Sequence, residues 1–80
     1  MKKAVVIREN IHDEFFPCAI VHEDGSVEGN DSLEKEIKER GLFSREKEKI
    51  VKNGEDLLNA ILQKYNSGYY AAEMIDDNDE

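Results

Sequence analysis

The sequence predicts an α+β fold: a small mixed sheet of three to four strands, with elements in the order β-β-β-α-α-β and a long amphipathic helix packed on one face. Three patterns predict it. Two apolar runs near the N-terminus lack helical spacing. An Asp24-Gly25 dipeptide separates two short extended segments. Between Ile50 and Tyr65 the apolar residues recur on one helical face.

Ala4 to Ile7 is an unbroken, largely β-branched run, which predicts a strand with both faces at least partly covered. The polar stretch Asn10 to Glu14 turns the chain into a second run, Phe15 to Val21. Pro17 limits that strand to an edge position or to the start of the paired region, because it has no amide to donate. The two runs pair most simply as a hairpin. Asp24-Gly25 supplies the positive φ angles of a tight two-residue turn, giving a third strand near Ser26 to Glu28.

Asp31-Ser32-Leu33-Glu34 reads as a capping box, in which the Asp31 or Ser32 oxygen takes early helical amides and Glu34 reaches back. The first helix is expected from about Ser32 to Arg40, stopping at Gly41. Ser44 caps a second, longer helix that carries Ile50, Val51, Leu57, Leu58, Ile61, Leu62 and Tyr65 on one face. Gly54 falls on that face, and two explanations stand. One is a break or kink at Asn53-Gly54, since glycine costs about 1 kcal/mol against alanine inside a helix. The other is close approach of the helix to the sheet.

Asn66-Ser67-Gly68 ends the helix. Tyr69 to Ile75 then alternates as a strand, with Tyr70, Ala72 and Met74 on one face and Tyr69, Ala71 and Ile75 on the other. Residues 1–75 are thus expected to form one domain, and residues 76–80 an acidic disordered tail.

A chain of 80 residues builds one core and buries only about 60% of its unfolded surface. Its 11 basic and 19 acidic residues give a net charge of −8, which disfavours generic attraction to DNA, RNA or an anionic membrane. A protein with a basic surface is the expected partner. Cys18 is the one cysteine, so no intramolecular disulfide forms. The four apolar residues after Met1-Lys2-Lys3 and before Arg8 are too few for a signal-peptide core or a membrane span. A cytoplasmic location follows as the expectation.

Catalytic chemistry has little to work with. Cys18 beside His12 or His22 would make a thiolate pair, but it lies in an apolar strand, where a buried thiol is usually inert. His12-Asp13-Glu14 and His22-Glu23-Asp24 combine imidazole with carboxylates without the ligand spacing of a zinc or calcium site. The five glycines form no phosphate loop. The expectation is a protein that is not an enzyme and has no catalytic residue, metal or cofactor.

Charge is distributed unevenly along the chain. Residues 1–30 sum to −3, 31–54 to +1 and 55–80 to −6. Arg45, Lys49 and Lys52 recur at helical spacing opposite the apolar face and form a basic stripe able to hold a nucleic-acid backbone. Glu48 and Asp56, each four residues from Lys52, instead allow ordinary exposed ion pairs. Glu73, Asp76, Asp77, Asp79 and Glu80, joined by Glu23, Asp24 and Glu28 from a turn, present carboxylates to a basic groove much as nucleic-acid phosphates do. A tail of this kind can also serve solubility alone. Tyr69 is expected at a contact surface, and an uncovered sheet face or edge would serve a homodimer or strand addition to a partner.

In these general terms, small, strongly acidic and poor in cysteine, the chain resembles the accessory proteins with which phages and other mobile elements occupy a host enzyme or nucleic-acid-binding protein. The likeness rests on composition and on no motif. It implies a protein-binding modulator or inhibitor that docks on a basic, even nucleic-acid-binding, surface through Glu73, Asp76, Asp77, Asp79, Glu80 and Tyr69. The alternative is a small RNA- or DNA-binding domain using Arg45, Lys49 and Lys52.

Overall fold

The computed structural model describes residues 2–44 and 48–77. Its centre is β1 (Lys3–Ile11), whose residues Ala4, Val5, Val6 and Ile7 are all buried. Burial on both faces is what an unbroken β-branched run demands. β1 pairs antiparallel with β2 (Glu14–His22) on one side and with β6 (Tyr70–Asp76) on the other. The short β3 (Val27–Glu28) borders β2, so the strand order is β3-β2-β1-β6. Every pairing in the sheet is antiparallel, where a mixed sheet was expected. The short turns between β1 and β2 and between β2 and β3 permit only that sense.

The first hairpin turns through two residues, His12 and Asp13, at φ 54° and 67°. Both positive angles match the type I′ geometry that two-residue hairpins use, although neither residue is glycine. In register, Ile7 lies opposite Ala19 and Arg8 opposite Pro17, which leaves Cys18 as the extra residue of a β-bulge. Alternation of hydrogen-bonded pairs outward from the turn places the Pro17 nitrogen on the side away from β1. β3 pairs only with Ile20 and Val21, so no strand needs the missing amide.

The second hairpin closes through three residues rather than two. The His22 amide donates to Ser26 O at 2.9 Å and the Gly25 amide to His22 O at 3.0 Å, with Gly25 alone at positive φ (91°). This is a type I turn followed by a left-handed residue. The Asp24 carboxylate braces it by accepting from the Ser26 amide at 2.9 Å and from its hydroxyl at 2.6 Å.

Helix α1 spans Asp31–Glu39. Its cap is Asn30, whose side-chain oxygen accepts from the Leu33 amide at 3.0 Å. The expected cap at Asp31 or Ser32 is therefore displaced by one or two residues. Glu34 does not reach back to the cap; it accepts from the Val27 amide of β3 at 2.9 Å and pairs with Lys38. Gly41, at φ 79°, donates to Ile37 O at 2.9 Å and ends the helix.

The long second helix is not found. Leu42–Ser44 and Lys49–Val51 instead form strands β4 and β5 of a two-stranded sheet, and α2 spans only Glu55–Lys64. The elements therefore run β-β-β-α-β-β-α-β. Gly54, at φ 88°, is the N-cap of α2, and a Cβ there would meet nothing within 4 Å. Thus Gly54 marks a complete break and not a close approach. Leu42 pairs with Val51, and both are buried in the core, whereas the pair Phe43 and Ile50 faces outward. Ile50 and Val51 fit a helical apolar face and a two-residue strand alternation equally well, and the bracketing glycines at 41 and 54 decide the matter.

Both helices cover the same face of the four-stranded sheet. Leu33 and Ile37 of α1, and Leu57, Leu58 and Ile61 of α2, close over Val5, Ile7, Ala19, Val21 and Val27 in one cluster. Tyr70, Ala72 and Met74 pack against it, as the alternation in β6 predicts. The opposite face carries Ala4, Val6, Ile20, Ile75, Arg8 and Glu73 in cross-strand register, with no element over it among the described residues.

Two substitutions test the backbone geometry. Asp13→Gly relieves a positive-φ residue and raises the urea midpoint, by roughly 0.5–1 kcal/mol of stability. Gly41→Ala would drive a Cβ into Ile50 and to 2.9 Å from Lys52 Cγ. With the added cost of a left-handed alanine, it destabilises by about 1–3 kcal/mol.

Candidate functional site

β1 begins, β2 ends and β6 ends at the same end of the sheet, because β1 is antiparallel to both neighbours. That topology gathers acids from distant parts of the sequence. His22, the last residue of β2, lies beside Ala4 in register and is only 18% exposed at its side chain. Its Nδ1 is 2.7 Å from Asp77 Oδ2 and its Nε2 is 2.7 Å from Glu28 Oε2. Glu28 comes from β3 and Asp77 from just beyond β6, so the imidazole ties two chain segments to β2.

A neutral imidazole donates from only one nitrogen, whereas the imidazolium donates from both. Two carboxylates at donor distance therefore select the charged form. Burial pulls the His22 pKa down, but the hydrogen bonds to Asp77 and Glu28 and their negative charges outweigh it and hold the group above its ordinary value of 6.5. The two carboxylates occupy opposite nitrogens, so the imidazole and both acids do not converge on one ion. Among the described residues no group of three His, Cys, Asp or Glu side chains is arranged to hold a metal ion.

His22 and Asp77 line an open cleft of about 620 Å³ with Lys2, Glu23, Asp24, Ser26, Asn53 and Gly54. Glu23 fixes this corner twice: its carboxylate accepts from the Lys3 amide at 3.1 Å, and its carbonyl accepts from the Gly54 amide at 2.6 Å. The turn acids Glu23, Asp24 and Glu28 thus share one end of the molecule with Asp76 and Asp77. The bases there include Lys2 and Lys3, with Lys3 Nζ paired to Asp76 at 3.0 Å, and the positive charge of Lys38 also reaches Asp24. Asp24 is held below the usual carboxylate range, first by its hydrogen bonds to Ser26.

The residues singled out from sequence fare differently. Asp76 belongs to β6, and the Asp77 amide donates to Lys2 O at 3.0 Å, so neither is part of a loose tail. Glu73 lies midway along β6 on the uncovered face and pairs with Arg8 at 2.9 Å. Asp79 and Glu80 lie outside the described residues. Tyr69 precedes β6 and does not share the face of Ala71 and Ile75 as expected. It packs edge-on against Tyr70 at 4.8 Å, and its hydroxyl donates to Glu9, the register partner of Tyr70, at 2.5 Å.

The basic stripe has no helix to carry it. Arg45 lies outside the described residues, Lys49 is on β5 and pairs with Asp56 at 3.2 Å, and Lys52 follows β5. His12 and His22 sit at opposite ends of β2, roughly 25 Å apart at strand rise. Cys18 packs against the helix-covered core, whereas both nitrogens of His22, four residues further along β2, are engaged by Asp77 and Glu28. Burial and the nearby Glu9 push its thiol pKa up, which opposes thiolate formation.

Sequence reasoning missed the outward pair Phe43 and Ile50, which are 71% and 62% exposed. The β-branched Ile50 beside Val51 was the available signal. It also missed that His22 joins Glu28 to Asp77, for which the spacing in sequence offered no clue. In comparisons with known proteins, the chain matches no family model, and no curated protein or solved structure is significantly similar to it.

The His22 contacts make stability depend on pH. In the unfolded chain His22 titrates near 6.5, and in the folded protein above it. The folded state thus holds the proton more tightly. The stabilisation is complete below about 6.5 and fades as pH rises through the folded value. In melting curves over this range, His22→Gln should remove that decline, and an NMR titration of the imidazole should give a midpoint above 6.5.

Proposed function

We propose that this protein is a binding module that docks on a basic surface of a partner protein through the acidic end of its sheet, and so modulates or occludes that surface. One observation carries the reading. Acids separated by about fifty residues of sequence, Glu23, Asp24 and Glu28 on one side and Asp76 and Asp77 on the other, are brought to a single end around an open cleft. The net charge of −8 acts in the same direction at longer range, speeding encounters with a positive surface.

The acids are held by the fold rather than borne on a mobile segment. Asp77 and Glu28 are fixed by His22, Asp76 by Lys3, and Asp24 by Ser26. A contact surface whose side chains are already oriented loses less conformational entropy on association than a flexible tail does. The pattern of charge also discriminates, since a surface rich in carboxylates on the partner would be repelled.

The immobilised protein, exposed to cell lysate with and without nuclease, should retain a discrete protein with a basic surface. Retention should survive nuclease and fall as salt rises from ~50 to ~500 mM, as screening shortens the reach of exposed charge. The double substitution Glu23→Gln and Glu28→Gln should weaken binding about three- to tenfold, mainly through slower association. Recovery of RNA or DNA that is lost with nuclease would replace this reading with nucleic-acid binding at Lys49 and Lys52. Salt-independent retention, unchanged in the double variant, would remove the acidic end from the contact.

A further inference from the structure

The outer edge of β6 is a strand edge with its hydrogen-bonding groups in a defined phase. Beyond the two ends of the strand, the Asn10 amide donates to Tyr69 O at 2.8 Å and the Asp77 amide to Lys2 O at 3.0 Å. The register between them is unbroken. Main-chain bonds alternate along an antiparallel strand, so residues 69, 71, 73, 75 and 77 bond inward to β1. The groups of Tyr70, Ala72, Met74 and Asp76 point outward. Tyr70 O is already taken by the Ser67 amide at 2.9 Å. Ala72, Met74 and Asp76 are left with amides and carbonyls that no strand among the described residues pairs.

Strand edges are usually protected by proline, a bulge, short length or charge. The other side of the sheet shows three of these: Pro17, the bulge at Cys18 and the two-residue β3. β6 has seven residues, no proline and no register shift, and its one charge before the terminal Asp76 is Glu73. The contrast lies within one molecule and one sheet.

We propose that β6 pairs antiparallel with β6 of a second copy of this chain, joining two four-stranded sheets into one of eight strands about a two-fold axis at Met74. The charges along the strand select this register. With Met74 opposite Met74, Ala72 lies opposite Asp76 of the second copy, and all three free residues form hydrogen-bonded pairs, about six main-chain bonds in total. Glu73 then faces Ile75 of the second copy on the uncovered face, close in a non-hydrogen-bonded pair, and the two Glu73 side chains are only diagonal neighbours, each paired with its own Arg8. Shifting the axis to Glu73 sets the two Glu73 carboxylates directly against each other, and shifting it to Ile75 sets Glu73 against Asp77. Both place like charges in opposition, which is destabilising. Centring on Ala72 requires the Tyr70 carbonyl that Ser67 already occupies.

A second copy fits better than an arbitrary extended peptide because the strand is complementary to itself under this one rotation, as a closed two-fold interface requires. The dimer shares Asp76 with the acidic end but does not rest on that reading, and salt separates the two. Each copy carries −8, so screening of mutual repulsion should strengthen the dimer as salt rises. Docking on a basic partner weakens.

Sedimentation across a concentration series tests the proposal, with hydrogen exchange to locate the contact. The amides of Ala72, Met74 and Asp76 should exchange fast in dilute protein and become protected as the dimer forms. Ile75 is half-buried on the uncovered face, so substitution there leaves the helix-covered core intact. Ile75→Lys places a positive charge opposite Glu73 twice in the dimer and should tighten it about tenfold, whereas Ile75→Glu should weaken it about tenfold. The same charge changes at Asn59, exposed on α2, correct for net charge and should have much less effect. A monomer at every concentration up to ~1 mM overturns the proposal. So does a dimer whose β6 amides stay unprotected, one that responds equally at positions 59 and 75, or protection of β6 that appears only with a peptide from another protein.

Discussion

β1 has to be satisfied on four sides, and the rest of the molecule is arranged to do so. Its two edges need strands and its two faces need cover, because Ala4, Val5, Val6 and Ile7 are all removed from solvent. β2 satisfies one edge through a two-residue turn, and β6 satisfies the other after the chain has built both helices. The helices cover the Val5 and Ile7 face with aliphatic side chains. On the other face, among the described residues, Ala4 and Val6 are flanked by side chains of neighbouring strands, which include His22 beside Ala4 and Glu73 beside Val6. The polar groups of that face therefore shelter the core, and of them Glu73 and its partner Arg8 remain open to solvent.

How much of this was legible depends on the range over which each signal acts. β1, β2, β6, α1 and the turns between them follow from local patterns: β-branched runs, a polar pair, an Asp-Gly dipeptide and glycine stops. The failure at residues 42–54 came from a short apolar pair that serves either periodicity. What settles it is tertiary, since Leu42 and Val51 reach the same core only as cross-strand partners. Of the two explanations for Gly54, the break holds and the close approach does not: at φ 88° the residue starts α2.

For the candidate site, the sequence identified the acids and not their company. Glu23, Asp24, Glu28 and the C-terminal carboxylates are grouped on charge alone; the fold gathers Glu23, Asp24, Glu28, Asp76 and Asp77 at one end and leaves Glu73 midway along β6 with Arg8. Their neutralising partners, Lys3, Arg8 and His22, depend on strand register, which alternation leaves open. The basic stripe failed with the helix it required. Net charge is a property of composition, but a surface is a property of topology, and here the topology concentrates at one end what the sequence spreads over two distant segments.

The placement of β6 has a consequence for how the molecule assembles. β1 meets β2 across His12 and Asp13, a closure that a peptide makes in microseconds. Its meeting with β6 must close a loop running from Ile11 to Tyr70, and pairing over such separations slows folding. Until then the apolar centre of β1 has one unpaired edge in a chain that has already formed its hairpin. Closing the sheet therefore depends on the last strand in the chain, and until β6 docks, the flank of β1 that it covers has no partner of its own.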